Sequence, residues 1–168
     1  MNLHVKTLLT LAVLAGLLLA GVSWGWSSLT QPFPSKAAQQ DCYDTQLQPG
    51  DRVSPPKVLV SVFNASKRVG LAERTMAAFQ AQGFGEGDVG NAPKGADVRY
   101  AEIWAPDRKN PAVRLVASRL GHHVRIVDKR HGGPGVIVMV GAGFRKLVQG
   151  KQSTKVTEPT TICSPPTG

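Results

Sequence analysis

Acidic residues, cysteines and aromatics are all scarce in this chain of 168 residues, and each shortage narrows what it can do. The 11 Asp and Glu stand singly, so the paired carboxylates of general acid-base catalysis find no candidates. No serine has an identifiable histidine and acid partner, so no catalytic residue can be named and the expectation is a protein that is not an enzyme. The two cysteines, Cys42 and Cys163, belong to no CxxC or Cys/His metal spacing. His122, His123 and His131 add no ligand set, because adjacent histidines in a strand point to opposite faces. No metal and no cofactor are therefore expected. Aromatic residues make up 6% of the chain and none interleaves its basic pairs, which argues against the stacking platforms of a nucleic-acid binder.

What the chain does have is an uncharged run from Leu8 to Trp26, LLTLAVLAGLLLAGVSWGW. As a helix it spans roughly 28 Å, close to the ~30 Å hydrocarbon thickness of a bilayer. Lys6, His4 and the amino terminus precede it, so the positive-inside bias keeps residues 1–7 in the cytoplasm. Everything after Trp26 then lies outside, with Trp24 and Trp26 at the outer interface. The competing reading is a cleaved signal peptide, with Gly21-Val22-Ser23 as its small-x-small site, which would leave the domain secreted. The interfacial tryptophans favour a signal-anchor over residues 8–26.

Both readings send the rest of the chain across a membrane. Cys42 and Cys163 flank the candidate domain, and in an oxidising compartment the simplest arrangement is a disulfide between them. Two free or intermolecular thiols are the alternative. Cys42 follows Gln39-Gln40-Asp41 well beyond the apolar run, so it is no lipoprotein cysteine. After that run come 19 basic residues against 11 acids, a net charge of +8. An anionic partner is expected, such as an anionic wall polymer or a lipid surface. The pairs Lys67-Arg68, Arg108-Lys109, Lys129-Arg130 and Arg145-Lys146 sit near element ends, where they form either a patch or ordinary solvated charge.

Residues 27–56 hold five prolines with several Gln and Ser and read as a linker. The compact part is then 57–148, with 149–168 a tail tied back by the disulfide. Val58 to Phe63 (VLVSVF) predicts a strand, and Asn64-Ala65-Ser66 a turn. From Gly70 to Gln82 the positions Leu71, Ala72, Met76 and Phe79 recur at helical spacing. Asp88 to Asn91 is a short candidate strand after a Gly-rich turn. Val98 to Trp104 is another, with a phase change that a bulge or an early end explains. Pro111 opens a second helix with a stripe at Ala112, Val113, Val116, Ala117 and Leu120, and Gly121 caps it. Val124 to Val127 follows as a strand, and Val136 to Val140 (VIVMV), apolar throughout, belongs in the sheet centre. The order β-α-β-β-α-β-β predicts an α/β fold of the α+β two-layer sandwich type. Right-handed crossovers put both helices on one face of a mixed sheet.

VLVSVFNASKRVGLA at Val58 to Ala72 resembles the opening of the LytR C-terminal domain family, a strand running into an Asn-small-Ser/Thr turn and a Gly-Leu-Ala helix start. AAFQAQGF at Ala77 to Phe84 and GVIVMVGAGF at Gly135 to Phe144 continue the likeness, which covers Lys57 to Phe144. The layout is similar to stand-alone, membrane-anchored members of the family, the actinobacterial cell-envelope integrity proteins. That resemblance implies a non-catalytic envelope protein acting beside LytR-CpsA-Psr ligases, whose own catalytic part is absent here. Gly143 departs from the family, which often has Asp before the closing Phe.

The candidate binding residues are Asn64, Ser66, Lys67, Arg68, Lys129 and Arg130. Asn64 and Ser66 are expected to shape the turn and offer acceptors to the first helix amides, and Gly70 to allow close approach of helix and sheet. In the functional reading those amides, with Lys67 and Arg68 beside them, hold a phosphate or carboxylate. Asn64-Ala65-Ser66 also fits an N-glycosylation pattern. Two functions remain in view: an adaptor for envelope assembly, and a direct binder of wall glycan or anionic phosphopolymer. Glycan recognition favours exposed aromatics, and among the few here Phe63, Phe79 and Phe84 are assigned to the core, which leaves Tyr100 and Trp104 as candidates.

Overall fold

The computed structural model describes residues 3–30 and 42–166, with only the backbone described for 3–6 and 23–30. Helix α1, Leu3–Thr30, belongs to a unit of its own, Met1–Gln39. Its apolar residues follow no single stripe: at 100° per residue, Leu8, Leu9, Leu11, Val13, Leu14 and Leu17 point in all directions. Each is more than half exposed. Among the described residues no helix is long and apolar enough to cross a membrane. The side chains of Lys6, Trp24 and Trp26, on which the orientation and interface expectations rest, lie outside the described ones.

The second unit, Gln40–Gly168, is built on a five-stranded sheet. Two short antiparallel pairs flank it, made by β1 (Tyr43–Leu47) with β9 (Thr160–Ser164) and by β2 (Arg52–Val53) with β8 (Thr154–Lys155). The main strands are β3 (Leu59–Asn64), β4 (Gly85–Asn91), β5 (Ala101–Trp104), β6 (Val124–Val127) and β7 (Val136–Val140), in spatial order β4-β3-β7-β5-β6. β3 runs parallel to β4 and to β7, and β5 runs parallel to β6 but antiparallel to β7. The sheet is therefore mixed, with VIVMV at its centre as its all-apolar sequence requires.

Helices α2 (Leu71–Gln80) and α3 (Pro111–Leu120) cover one face. Leu71, Met76 and Phe79 of α2 and Val113, Leu115 and Val116 of α3 share one core with Val60, Val62, Ile103, Val138 and Val140. Fully burying each such side chain stabilises by about 1.5–3 kcal/mol, which selects the helix faces seen. Leu115, fully buried, joins the stripe expected for α3, whereas Ala117 is only partly buried. Asn110 caps α3, its Oδ1 accepting from Ala112 N at 3.0 Å, and Pro111 takes the first helical position.

The opposite sheet face carries Phe63, Trp104, Ile137 and Met139, covered by Val98 with Ala92 and Ala96. Trp104, expected to be an exposed aromatic, is buried there. Its Nε1 donates to Glu102 Oε2 at 3.1 Å, and the Lys129 ammonium lies 4.9 Å from its ring centroid. Residues 98–100 precede β5 instead of extending it, which resolves the phase change at Val98. The bulge falls in β4, opposite Val60 to Val62.

The segment read as a linker also departs from expectation. Tyr43–Leu47 and Arg52–Val53 are strands, and Pro55–Lys57 forms a 3-10 turn. Leu47, Val53 and Ile162 enter the main core, so both flanks pack on the domain instead of hanging from it. Cys42 and Cys163 are disulfide-bonded beside the β1–β9 pair, a bridge across 121 positions.

Candidate binding groove

At the end of β3 the Asn64 side chain organises the following turn. Its Oδ1 accepts from Ser66 N at 2.9 Å and from Ser66 Oγ at 2.8 Å, while its Nδ2 donates to the carbonyl of Arg68 at 2.7 Å. Ser66 Oγ accepts in turn from Arg68 N at 3.1 Å. Both residues thus close the loop on itself and do not reach the helix amides, correcting the capping expectation. α2 starts instead at Gly70, which has no capping side chain and takes a left-handed φ of 69°. That backbone conformation, and not close approach to the sheet, is what requires glycine there. The glycosylation pattern falls on an asparagine whose amide is already engaged.

A second loop leaves β7 alongside. Gly141 N donates to Tyr100 O at 2.7 Å and Gly143 N to Arg99 O at 2.8 Å, laying residues 141–144 against the backbone of 98–100. A Cβ on Gly141 would lie 1.8 Å from Val98 O, so only glycine fits this approach. At Gly143 a Cβ would come within 2.8 Å of Arg99 O and of the Tyr100 ring. Arg68 ties the two loops together, its Nη1 donating to the carbonyls of Ala142 at 3.2 Å and Phe144 at 2.5 Å.

Between these loops lies an open groove of about 1090 Å³. It sits beyond the carboxyl ends of β3 and β7, the side of a parallel strand pair where ligands commonly bind. Lys67, Arg68, Arg99 and Arg145 line it against one carboxylate, Asp97. None of the four cations makes an ion pair among the described residues. Half-buried Tyr100 also lines it, stacked on His123 at 4.8 Å between centroids, with the Arg99 guanidinium 5.3 Å from its ring. A smaller recess of about 410 Å³ on the flank of α2 shares Arg68 and Arg145 and adds Arg74 and Lys146. Chemically, this surface can attract an anion.

The six candidate residues from the sequence divide. Asn64, Ser66, Lys67 and Arg68 stand together at this end of the sheet. Lys129 and Arg130 follow β6, whose last residue Val127 pairs with Trp104 and, through it, aligns with Ile137 and Ser61 near the start of β3. The two basic pairs therefore leave opposite ends of the sheet and form no joint patch. Arg99 and Tyr100 take their place. Arg145 belongs to a pair visible in sequence, but Arg99 is a lone cation whose relevance depends on strand order. His122 and His123 lie in a turn, not a strand, and among the described residues no three His, Cys, Asp or Glu gather as a metal set.

No curated protein matches the chain. A crystal structure of the soluble domain of a conserved hypothetical secreted protein from Mycobacterium marinum is similar with a TM-score of 0.49 and 21% identity, covering 62% of this chain and 80% of that one. Residues 57–144, the stretch from the 3-10 turn to the Arg68-bound loop, match the family described as LytR cell envelope-related transcriptional attenuator. Spanning more than half of the sequence, that match places the chain in the LytR C-terminal domain family.

Proposed function

We propose that this is a non-catalytic, membrane-anchored protein whose folded unit works outside the cytoplasm in cell-envelope integrity or wall assembly, as an adaptor to LytR-CpsA-Psr-type ligases. The family match over residues 57–144 carries this reading, since the family is by description envelope-related. The Cys42–Cys163 disulfide supports an oxidising compartment. The described part of α1, apolar all round with Leu8 to Leu19 unburied, supports anchorage, because such a segment needs a lipid or protein surround. A reporter active only outside the membrane, fused after Ser35, is expected to give signal, and an inactive fusion would overturn the orientation.

The basic groove favours a second reading, direct binding of wall glycan or anionic phosphopolymer. Full-length protein cross-linked in its own membranes and then purified distinguishes the two. The adaptor reading expects ligases to be enriched equally by the wild type and by a Lys67→Glu/Arg99→Glu/Arg145→Glu variant. Direct binding expects sedimentation with isolated walls that salt weakens and the triple variant loses, since exposed charges are screened over about 8 Å at physiological ionic strength. Absence of ligases together with absence of wall binding would sink both.

A further inference from the structure

Val69 is 91% exposed, more than any other large apolar side chain described, the leucines of α1 included. A lone surface valine needs no explanation by itself. This one is held out by the fold. The loop before it is closed by Asn64 and Ser66, which bond to each other and to the backbone of Arg68. The carbonyl of Val69 in turn accepts from Arg74 Nη2 at 3.1 Å. With its backbone pinned from both sides, the side chain stands clear of the core.

Accessible cations surround this tip. Lys67, Arg74, Arg145 and Lys146 are all exposed, and among the described residues none makes an ion pair. Of their charged ends only that of Arg74 is committed to a protein oxygen. Arg68 and Leu71, on either side of Val69 in sequence, line the recess of about 410 Å³ on the flank of α2. Its apolar walls are Leu71, Ala78, Phe144 and Leu147, its charged ones Arg68, Arg74, Arg145 and Lys146, and no carboxylate joins them. An anionic phospholipid surface matches both features: headgroup phosphates take the cations, and the acyl boundary beneath covers the apolar groups. A hydrophilic wall polymer matches the charge alone and would leave Val69 in water. We propose that this face docks on an anionic phospholipid bilayer, with Lys67, Arg74, Arg145 and Lys146 on the headgroups and Val69 entering the layer below them. The inference goes beyond the proposed function and does not need α1 to be an anchor.

The test reads position 69 in the full-length chain. Because the native cysteines are bridged, Val69→Cys supplies the one free thiol, which takes an environment-sensitive fluorophore such as NBD. Nanodiscs of phosphatidylcholine, alone or mixed with phosphatidylglycerol, present a neutral or an anionic surface. A blue shift is expected in the anionic discs only, reversed by salt because exposed charges are screened over about 8 Å at physiological ionic strength. The same label at Arg108→Cys, between β5 and α3 at the other end of the sheet, should not shift. Lys67→Glu/Lys146→Glu reverses two exposed charges without touching the core, and is expected to weaken docking about tenfold or more. Since the fluorophore replaces the valine, unlabelled wild type and Val69→Asp are compared by amide exchange, expected to slow around residues 65–71 and 144–147 in anionic discs for the wild type only. Equal emission in both discs, an equal shift at position 108, indifference to the charge reversal, or isolated walls shifting the label more than phosphatidylglycerol does would overturn the proposal. A chain that joins both kinds of disc yet shifts in neither keeps the anchor and sinks the docking face; one that joins only the anionic discs, with the full shift, sinks the anchor and supports the face.

Discussion

Arg68 and Phe144 stand 76 positions apart, yet the guanidinium Nη1 of the first donates to the carbonyl oxygen of the second at 2.5 Å. With its further bond to Ala142 O, Arg68 fixes the loop after β7 against the loop after β3 and so sets the width of the groove. Arg68→Ala is expected to destabilise by about 1.5–3 kcal/mol, the loss for hydrogen bonds to a charged group. Lys67→Glu, one residue away and exposed, should change stability by no more than about 0.5 kcal/mol. Chemical denaturation of both variants checks this; equal losses would show that Arg68 has no greater structural role than its neighbour.

The disulfide closes a loop of 121 positions, which in the chain-entropy model stabilises by up to about 5 kcal/mol. Cys42→Ser/Cys163→Ser should therefore melt well below the wild type. Ile162, beside the bridge in β9, and Leu47, at the far end of β1, stay available to the core, so the variant is expected to fold. Non-reducing peptide mapping should find a single cross-link joining the two cysteines within one chain, and a dimer that collapses on reduction would contradict the structure.

Gly141 tolerates no side chain. Gly141→Ala must push the 98–100 backbone away and lose the bond to Tyr100 O, with an expected cost of about 3 kcal/mol or more. Phe79→Ala, at a fully buried site, should cost about 3–5 kcal/mol by leaving a cavity. The two differ in place: amide exchange should rise around residues 98–100 and 141–144 in the first, and across the helix-covered core in the second.

Buried Glu102 accepts from Trp104 Nε1 and faces the exposed Arg125 guanidinium at 3.6 Å. Glu102→Leu strands the indole donor and should cost about 1–3 kcal/mol. Glu102→Gln keeps an acceptor and loses only a pair with an exposed partner, within about 1 kcal/mol. Equal destabilisation of the two variants in urea would show that the ion pair, not the indole bond, matters at this position.

The elements with strong apolar periodicity were legible in the sequence. α3 begins at Pro111 and stops before Gly121 as its stripe and caps dictate, and VRIV and VIVMV are strands over the residues expected. β1, β2, β8 and β9 were not, because YDTQL and TTICS carry no alternation and two-residue strands carry no pattern at all. They exist through pairing between the two ends of the chain, which local sequence does not record. The same limit governs the groove: Lys67-Arg68 is visible as a pair, but its company with Arg99 and its separation from Lys129-Arg130 follow from strand order alone.

β7 is the last main strand in sequence and the middle one in space. As the chain is made, β3-α2-β4 and β5-α3-β6 emerge as two half-sheets with no strand in common, each with an apolar edge awaiting a partner. No strand pairing joins them until Val136–Val140 slots between β3 and β5, and Cys163 follows later in the chain. Topology thus puts the keystone before the covalent lock, and a chain cut short before Val136 lacks the one strand that makes the two half-sheets continuous.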